Sequence, residues 1–256
     1  MTTPSSNAAV ASATEPEGLT ARLVSRSDLT AANVRSMFEL YASNYADTSE
    51  RVFQRDLAQK THVLLLTGER SDVCGFTTIE LYQTVAAGQS VRVLFSGDTI
   101  INPEHWGSQA LAREWIRFAG QVARDVTLPL YWLLIVKGHR TYRFLPAFAR
   151  RYIPHHELAD TPAEREILSA LAREKFGHYF NEATGVVHFE TPQGRLCEEL
   201  AEVPGKHRKL PAVEHFLRLN PGYREGDELV CLCRLARENL RPFAARVFEA
   251  NDERLH

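Results

Sequence analysis

Between Val63 and Val136 the sequence sets three strand patterns in immediate succession and a fourth beyond one helix-length of chain. Val63-Leu64-Leu65-Leu66 is a continuous apolar run, the signature of a strand covered on both faces. Gly68–Asp72 supplies a turn, and Val73–Tyr82 reads as the antiparallel partner, with Phe76, Thr78 and Glu80 on one face. After a second turn at Gly88–Ser90, Val91, Val93 and Phe95 alternate with Arg92, Leu94 and Ser96 in a strand running to Ile101. Gly97, isolated inside that pattern, marks a bulge. The strand stops at Asn102-Pro103, and Ala110, Leu111, Trp115, Phe118, Ala119 and Val122 then form the buried stripe of a helix. Pro129 precedes the last apolar run, Leu130–Val136. A meander passing into strand–helix–strand predicts an α/β (α+β) fold with a mixed central sheet flanked by helices. Val91–Ile101 and Leu130–Val136 should be parallel and joined by a right-handed crossover.

The flanks follow the same reading. Leu19–Ser25 is a short strand, and Ser27 or Asp28 caps a helix carrying Val34, Met37, Phe38 and Tyr41 on one face. Ser49 opens a second helix with Val52, Phe53 and Leu57. After Lys137-Gly138, His139–Tyr152 has helical spacing broken at Pro146. Pro162–Phe176 is an amphipathic helix, Thr184–Glu190 a strand candidate and Val213–Leu219 a short helix. Pro204–Lys209 is charged and looped, and Glu228–Cys233 is a final strand leading into a helix over Arg234–Phe248. Met1–Gly18 is rich in Ala, Ser, Thr and Pro, without the basic start and apolar stretch of a signal peptide, and reads as a disordered tail. The chain thus divides into residues 1–18 (tail), 19–153 (α/β core) and 154–256 (a C-terminal α/β extension).

Composition narrows the function. Across 256 residues, 30 Lys and Arg balance 32 Asp and Glu for a net charge of -2, which excludes a broadly basic nucleic-acid surface. No apolar run approaches the roughly 18–20 residues that span a bilayer. Cys74, Cys197, Cys231 and Cys233 make no disulfide scaffold, and Cys231-x-Cys233 lacks the second ligand pair of a zinc site. There is no nucleophile elbow, Walker loop or dinucleotide fingerprint. The expectation is a cytoplasmic protein with no metal, nucleic acid or membrane partner.

From Leu19 to Tyr152 the order of elements resembles the GCN5-related N-acetyltransferase (GNAT) superfamily. In that family two helices follow the first strand, three meander strands come next, and the fourth strand enters the third helix through a phosphate loop. The matching segments are Val63–Leu66, Val73–Tyr82, Val91–Ile101, the loop Asn102–Gln109 and the helix from Ala110. The family loop reads Arg/Gln-x-x-Gly-x-Gly/Ala. With Gly107 as its central glycine the flanks here are Glu104 and Gln109; with Ala110 last, the first residue is His105 and the centre Ser108. The loop departs from the pattern in both registers.

The resemblance implies two parallel strands that splay apart and a bare edge that holds the pantetheine arm of acetyl-CoA or another acyl-CoA, as a strand edge holds a peptide. Thr99, Ile100 and Ile101 would offer backbone to that arm, and Trp106, Gly107, Ser108, Gln109 and Ala110 would face the pyrophosphate at the helix N-terminus. It implies an acyltransferase acting on a small amine or related acceptor by direct attack in a ternary complex.

Acyl transfer to an amine needs a base and an acid. Asp98, midway along the splayed strand, is the first base candidate, with burial to raise its pKa; alternatively it satisfies amides at the Gly97 bulge. Glu80 on the next strand is the second, or a solvent-facing strand residue. Tyr142 is the acid candidate, or a packing residue of its helix. Arg140 and Arg143 form a phosphate or carboxylate clamp, or a helix start paired with acids such as Glu157. The extension caps the acceptor site with His178, Tyr179 and Tyr223, extends the packing, or makes a homodimer surface. The rival reading is a non-catalytic or repurposed GNAT-fold protein that binds a small ligand or a protein partner.

Overall fold

Residues 18–125, 127–191 and 193–250 are described by the structure, a computed structural model. Except for Gly18, the segment expected to be a tail lies outside the described residues. Strand β1 (Thr20–Ser25) leads into α1 (Ala31–Asn44), the short β2 (Tyr45–Ala46) and α2 (Glu50–Leu57). The meander is β3 (His62–Thr67), β4 (Val73–Ala86) and β5 (Gln89–Ile101), followed by α3 (Ala110–Asp125) and β6 (Leu130–Val136). Two short helices, α4 (His139–Tyr142) and α5 (Phe144–Phe148), come next. Beyond them lie α6 (Pro162–Phe176), β7 (Phe180–Asn181), β8 (Val186–Val187), β9 (Arg195–Leu196), α7 (Glu198–Ala201) and α8 (Gly205–Arg208). The chain continues with α9 (Pro211–Leu219), β10 (Glu228–Arg234) and α10 (Pro242–Glu249).

Eight strands form one mixed sheet in the order β1-β3-β4-β5-β6-β10-β8-β7. All its neighbours are antiparallel except β5 and β6, which are parallel. The fold class is the one the strand patterns predict. Strand β10 pairs with β6 from Leu229↔Val136 to Arg234↔Tyr131, so the last hundred residues add strands to the sheet that the first half builds. Ile153 and Leu232 exchange backbone hydrogen bonds at 2.8 Å across the expected boundary.

Alternation along each strand sends successive side chains to opposite faces. Leu64, Leu66, Leu94 and Leu134 pack with Trp115 of α3 and Phe248 of α10. On the other face Val63, Leu65 and Phe76 meet Met37 of α1 and Phe53 of α2, while Val93 and Leu133 meet Leu171 of α6. Helices therefore cover both faces, which is why the central strands carry unbroken apolar runs.

Two local expectations are corrected. The cap of α1 is Thr30, not Ser27 or Asp28: its Oγ1 accepts from the Asn33 N–H at 3.1 Å, while Asn33 Oδ1 accepts from the Thr30 N–H at 3.2 Å. That reciprocal pair satisfies two orphan donors, and Arg26–Asp28 instead form a 3-10 turn. The last helix starts at Pro242 rather than Arg234, since Pro suits a first helical turn and breaks an interior one.

Candidate functional site

Strands β5 and β6 pair from Arg92↔Leu130 to Ser96↔Leu134 and then part. Beyond that point β5 runs on against β4 alone, to Gly75↔Ile101, and β6 runs on against β10. A bulge sits at the parting: Thr77 faces Thr99 and Ile79 faces Ser96, so Gly97 and Asp98 together oppose Thr78. A Cβ on Gly97 would lie 2.5 Å from Thr78 Oγ1 and 2.9 Å from Lys60 Cε, so the close approach requires glycine.

The Asn102 N–H donates to Cys74 O on the β4 side at 2.8 Å. Backbone groups alternate sides along a strand, so Thr99 and Ile101 turn theirs toward the opening and Ile100 turns its own toward β4. Ile100 therefore offers no backbone to the wedge, contrary to the sequence reading.

A cavity of about 1710 Å³ runs through this opening, bordered by both faces of the sheet. Single-ligand sites usually span roughly 300–1,000 Å³, so the space suits two reactants. Ten Lys and Arg side chains line it against three carboxylates, Asp56, Asp98 and Glu228. In a chain of net charge -2 this is a local concentration of cations.

Asp98 lies where the strands part. Burial pushes its carboxyl up to about 7, with the Asp56 charge adding to the rise, Lys137 and Lys60 opposing it, and Glu228 adding less. Both lysines have carboxylates of their own. Lys60 Nζ is 2.7 Å from Asp56 Oδ1, and Lys137 Nζ is 3.4 Å from Glu228 Oε1. Among the described residues no hydrogen bond or ion pair reaches Asp98, which is open to the cavity. A carboxylate with its pKa near neutrality, and no protein partner to hold its charge, is suited to take a proton.

Glu80 does not border the cavity. Its Oε2 is 2.5 Å from Lys175 Nζ, and Lys175 in turn stands 4.1 Å from the centre of the Phe95 ring. The carboxylate is engaged in a partly buried ion pair, which corrects its assignment as a base. Tyr142 is corrected as well. It is fully buried, its hydroxyl donates to Pro154 O at 2.6 Å, and it packs against Tyr152 and Phe216. The single turn of α4 points His139 and Tyr142 inward while Arg140 and Thr141, followed by Arg143, border the cavity.

Three phenols do border it, Tyr41, Tyr45 and Tyr179; Tyr41 and Tyr45 are stacked 4.7 Å apart and both held well above the usual tyrosine range by burial. Sequence spacing marks Tyr41 only as part of an apolar stripe. Tyr45 is positioned by its pairing with Leu196, which no local pattern signals.

Arg140 donates to Leu200 O at 2.6 Å and stacks 4.7 Å from the Trp106 ring. Arg143 Nη1 is 3.4 Å from His207 Nε2. Both arginines border the cavity, and among the described residues neither forms an ion pair with Glu157. Trp106, Gly107, Ser108 and Gln109 border the cavity; Ala110 does not, and its N–H is taken by Ser108 Oγ at 3.3 Å. The Trp106 indole N–H donates to Ile101 O at 2.9 Å. In the extension, Tyr179 borders the cavity, whereas Tyr223 is buried and donates to Ala201 O at 3.0 Å and His178 stacks on Tyr179. Cys231 and Cys233 are buried, and burial pushes the Cys233 thiol up to about 12. Among the described residues no helix is long and apolar enough to cross a membrane.

No protein-family model matches the chain, and no curated protein matches it significantly. Solved structures are similar to parts of it. A probable N-acyltransferase of Enterococcus faecalis is 16% identical over 52% of this chain and 33% of its own length, with a TM-score of 0.38. The GNAT family N-acetyltransferase YhbS of Escherichia coli, in complex with CoA, is 15% identical over 61% and 82%, with a TM-score of 0.39. An acetyltransferase of Trypanosoma brucei is 14% identical over 56% and 99%, with a TM-score of 0.38.

Proposed function

We propose that the chain is an acyl-CoA-dependent acyltransferase that passes an acyl group to a small-molecule amine by direct attack in a ternary complex. The observation that carries this reading is the parting of β5 and β6 after Ser96↔Leu134, at the centre of a cavity open to both faces of the sheet. The residues present suit such a co-substrate. Thr99 and Ile101 turn backbone to the opening, where an extended amide-bearing arm adds like a strand. The excess of cations suits the diphosphate of coenzyme A, and Arg140 stacks on Trp106 of the loop that leads into α3, with Arg143 bordering the same cavity.

On this reading the amine enters from the side of α1 and α2, beside Asp98. The carboxylate takes a proton from the ammonium, and the freed nitrogen attacks the thioester carbonyl. The C–N bond forms, the C–S bond breaks and coenzyme A leaves as its thiol, protonated by a group in the cavity that regains its proton from the new amide nitrogen. Tyr45 and Tyr41 are two of the phenols within that space. The extension contributes Tyr179, Gln193 and Glu228 to the acceptor half, so core and extension work as one unit.

Isothermal titration with acetyl-CoA and longer acyl-CoAs, followed by thiol release on adding amines, tests the reading. Binding together with amine-dependent thiol release supports it, and no heat at millimolar ligand ends it. One observation favours the rival reading of a fold that has changed its ligand: the Trp106 indole already occupies the Ile101 carbonyl that the arm would use. Native mass spectrometry separates the two, since a repurposed protein would co-purify with a ligand lacking a pyrophosphate.

A further inference from the structure

Arg51 and Arg55 lie one turn apart on α2 and both border the cavity. Like charges four residues apart oppose a helix, and helices usually relieve this with a nearby acid. Here the neighbouring acids are used elsewhere. Glu50 accepts from Gln54 at 2.9 Å, Asp56 holds Lys60 at 2.7 Å, and Asp47 holds Arg195 at 2.6 Å. Among the described residues neither guanidinium has a carboxylate within ion-pair distance, and no hydrogen bond reaches Arg51.

The one partner of Arg55 is neutral: it donates to Gln193 Oε1 at 2.9 Å. The backbone carbonyl of the same Gln193 accepts from Lys137 Nζ at 3.3 Å and from the Tyr41 hydroxyl at 3.1 Å. Lys137 is paired with Glu228, and both contribute to the field at Asp98. Contacts thus run from Arg55 through Gln193 to Lys137, whose charge acts on Asp98 within the same cavity. The two ends are opposite in kind, a carboxylate without a cation and two guanidiniums without an anion.

We propose, on the acyltransferase reading above, that the acceptor is an amine bearing a separate anionic group, which Arg51 and Arg55 hold while its nitrogen faces Asp98. Guanidinium forks match the oxygen spacing of carboxylates and phosphates. Chemistry common to both is what the pair recognises, and the two sources are separable by experiment.

The test is calorimetric binding of matched amines: β-alanine against its amide, phenylalanine against its amide, and phosphoethanolamine against ethanolamine. Each is titrated into wild type and into the Arg51→Gln/Arg55→Gln double variant. At least one charged member should bind wild type ten times or more as tightly as its neutral mate, and the pairs showing it name carboxylate or phosphate. The double variant should bring that ratio within twofold, while Arg51→Lys/Arg55→Lys retains part of it. Neutral mates binding equally well in all three pairs, no binding by any member, or an unchanged ratio in the glutamine variant would overturn the proposal. Acetyl-CoA titrated separately keeps the outcomes apart. If it fails to bind while the amine preference holds, the acyltransferase reading falls alone; if it binds and the preference is absent, the anion clamp falls alone.

Discussion

The Trp106 indole N–H donates to the carbonyl of Ile101 at 2.9 Å, so a loop residue 46% exposed is moored to the strand edge that a ligand arm would need. Arg140 lies across the same ring at 4.7 Å. Binding along the edge must first break this contact, and a net hydrogen bond contributes about 1 kcal/mol. Trp106→Phe keeps the ring for Arg140 and removes the donor. Its Kd for coenzyme A should fall about fivefold by calorimetry. An unchanged or weaker Kd would mean that the arm does not use Ile101.

Asp98 titrates at about 7, so the base is present only above that value. On the acyltransferase reading kcat/KM should fall about tenfold per pH unit below pH 7 and level off above it. Asp98→Asn should lose most of kcat while keeping coenzyme A binding. Stability runs the other way. The unfolded carboxyl ionises near its model value of 3.8, so between there and 7 the folded chain holds the extra proton and stability declines as pH rises. Asp98→Asn should therefore melt a few degrees above wild type at pH 8. Equal melting would show that the carboxyl is not held in a costly ionised state.

Long-range pairing decides which parts of this arrangement were legible in the sequence. The runs Val63–Leu66 and Leu130–Val136 announce themselves because both faces of those strands are covered. Gly97 marks its bulge because nothing larger fits against Thr78, and the bulge is what brings Asp98 to the parting. Glu80 misleads because its partner Lys175 is 95 residues away, so an alternating strand position looks free. Tyr142 misleads because a single helical turn after Gly138 has no periodicity from which to tell its inward side. Tyr45 and Gln193 enter the site beside the pairing of β2 with β9, distant segments that neither sequence neighbourhood reveals.

Several histidines make the fold acid-sensitive. His139 is 1% exposed with no partner for Nε2, and burial, with the nearby Arg140 charge, lowers it to about 4. His215 is lowered to about 4 by burial and Arg218. His155 Nδ1 accepts from the N–H groups of Glu157 and Leu158, which requires a bare nitrogen, and burial lowers its pKa too. As pH falls from about 6.5 toward 4, the unfolded chain takes up these protons first. Stability therefore drops through that window, by at most about 1.4 kcal/mol per pH unit for each such histidine. Urea midpoints should decline from pH 7 to 5, opposed in part by Asp98, and His139→Gln should flatten the slope. A midpoint that rises on acidification in the Asp98→Asn background would refute this account.

Helix α10 reaches the cavity only because Gly120 lets it lie against α3. A Cβ on Gly120 would sit 1.9 Å from Phe248 O and 2.8 Å from its carbonyl carbon, and both are backbone atoms that cannot turn aside. Arg124 donates to the same carbonyl at 2.9 Å, fixing the approach. Gly120→Ala must push the helices apart, opening the packing of Ala244 and Phe248, at a cost of about 3 kcal/mol. Gly205→Ala, with nothing within 4 Å of the added carbon, should be neutral or slightly stabilising and serves as the control. The separation also moves Phe243, which lies 5.8 Å from the Arg113 guanidinium, and Arg246, both of which border the cavity. Coenzyme A should bind Gly120→Ala more weakly even at temperatures where the variant is fully folded. A variant that melts within two degrees of wild type (about 1 kcal/mol or less at this size) would show that α3 and α10 are not in backbone contact.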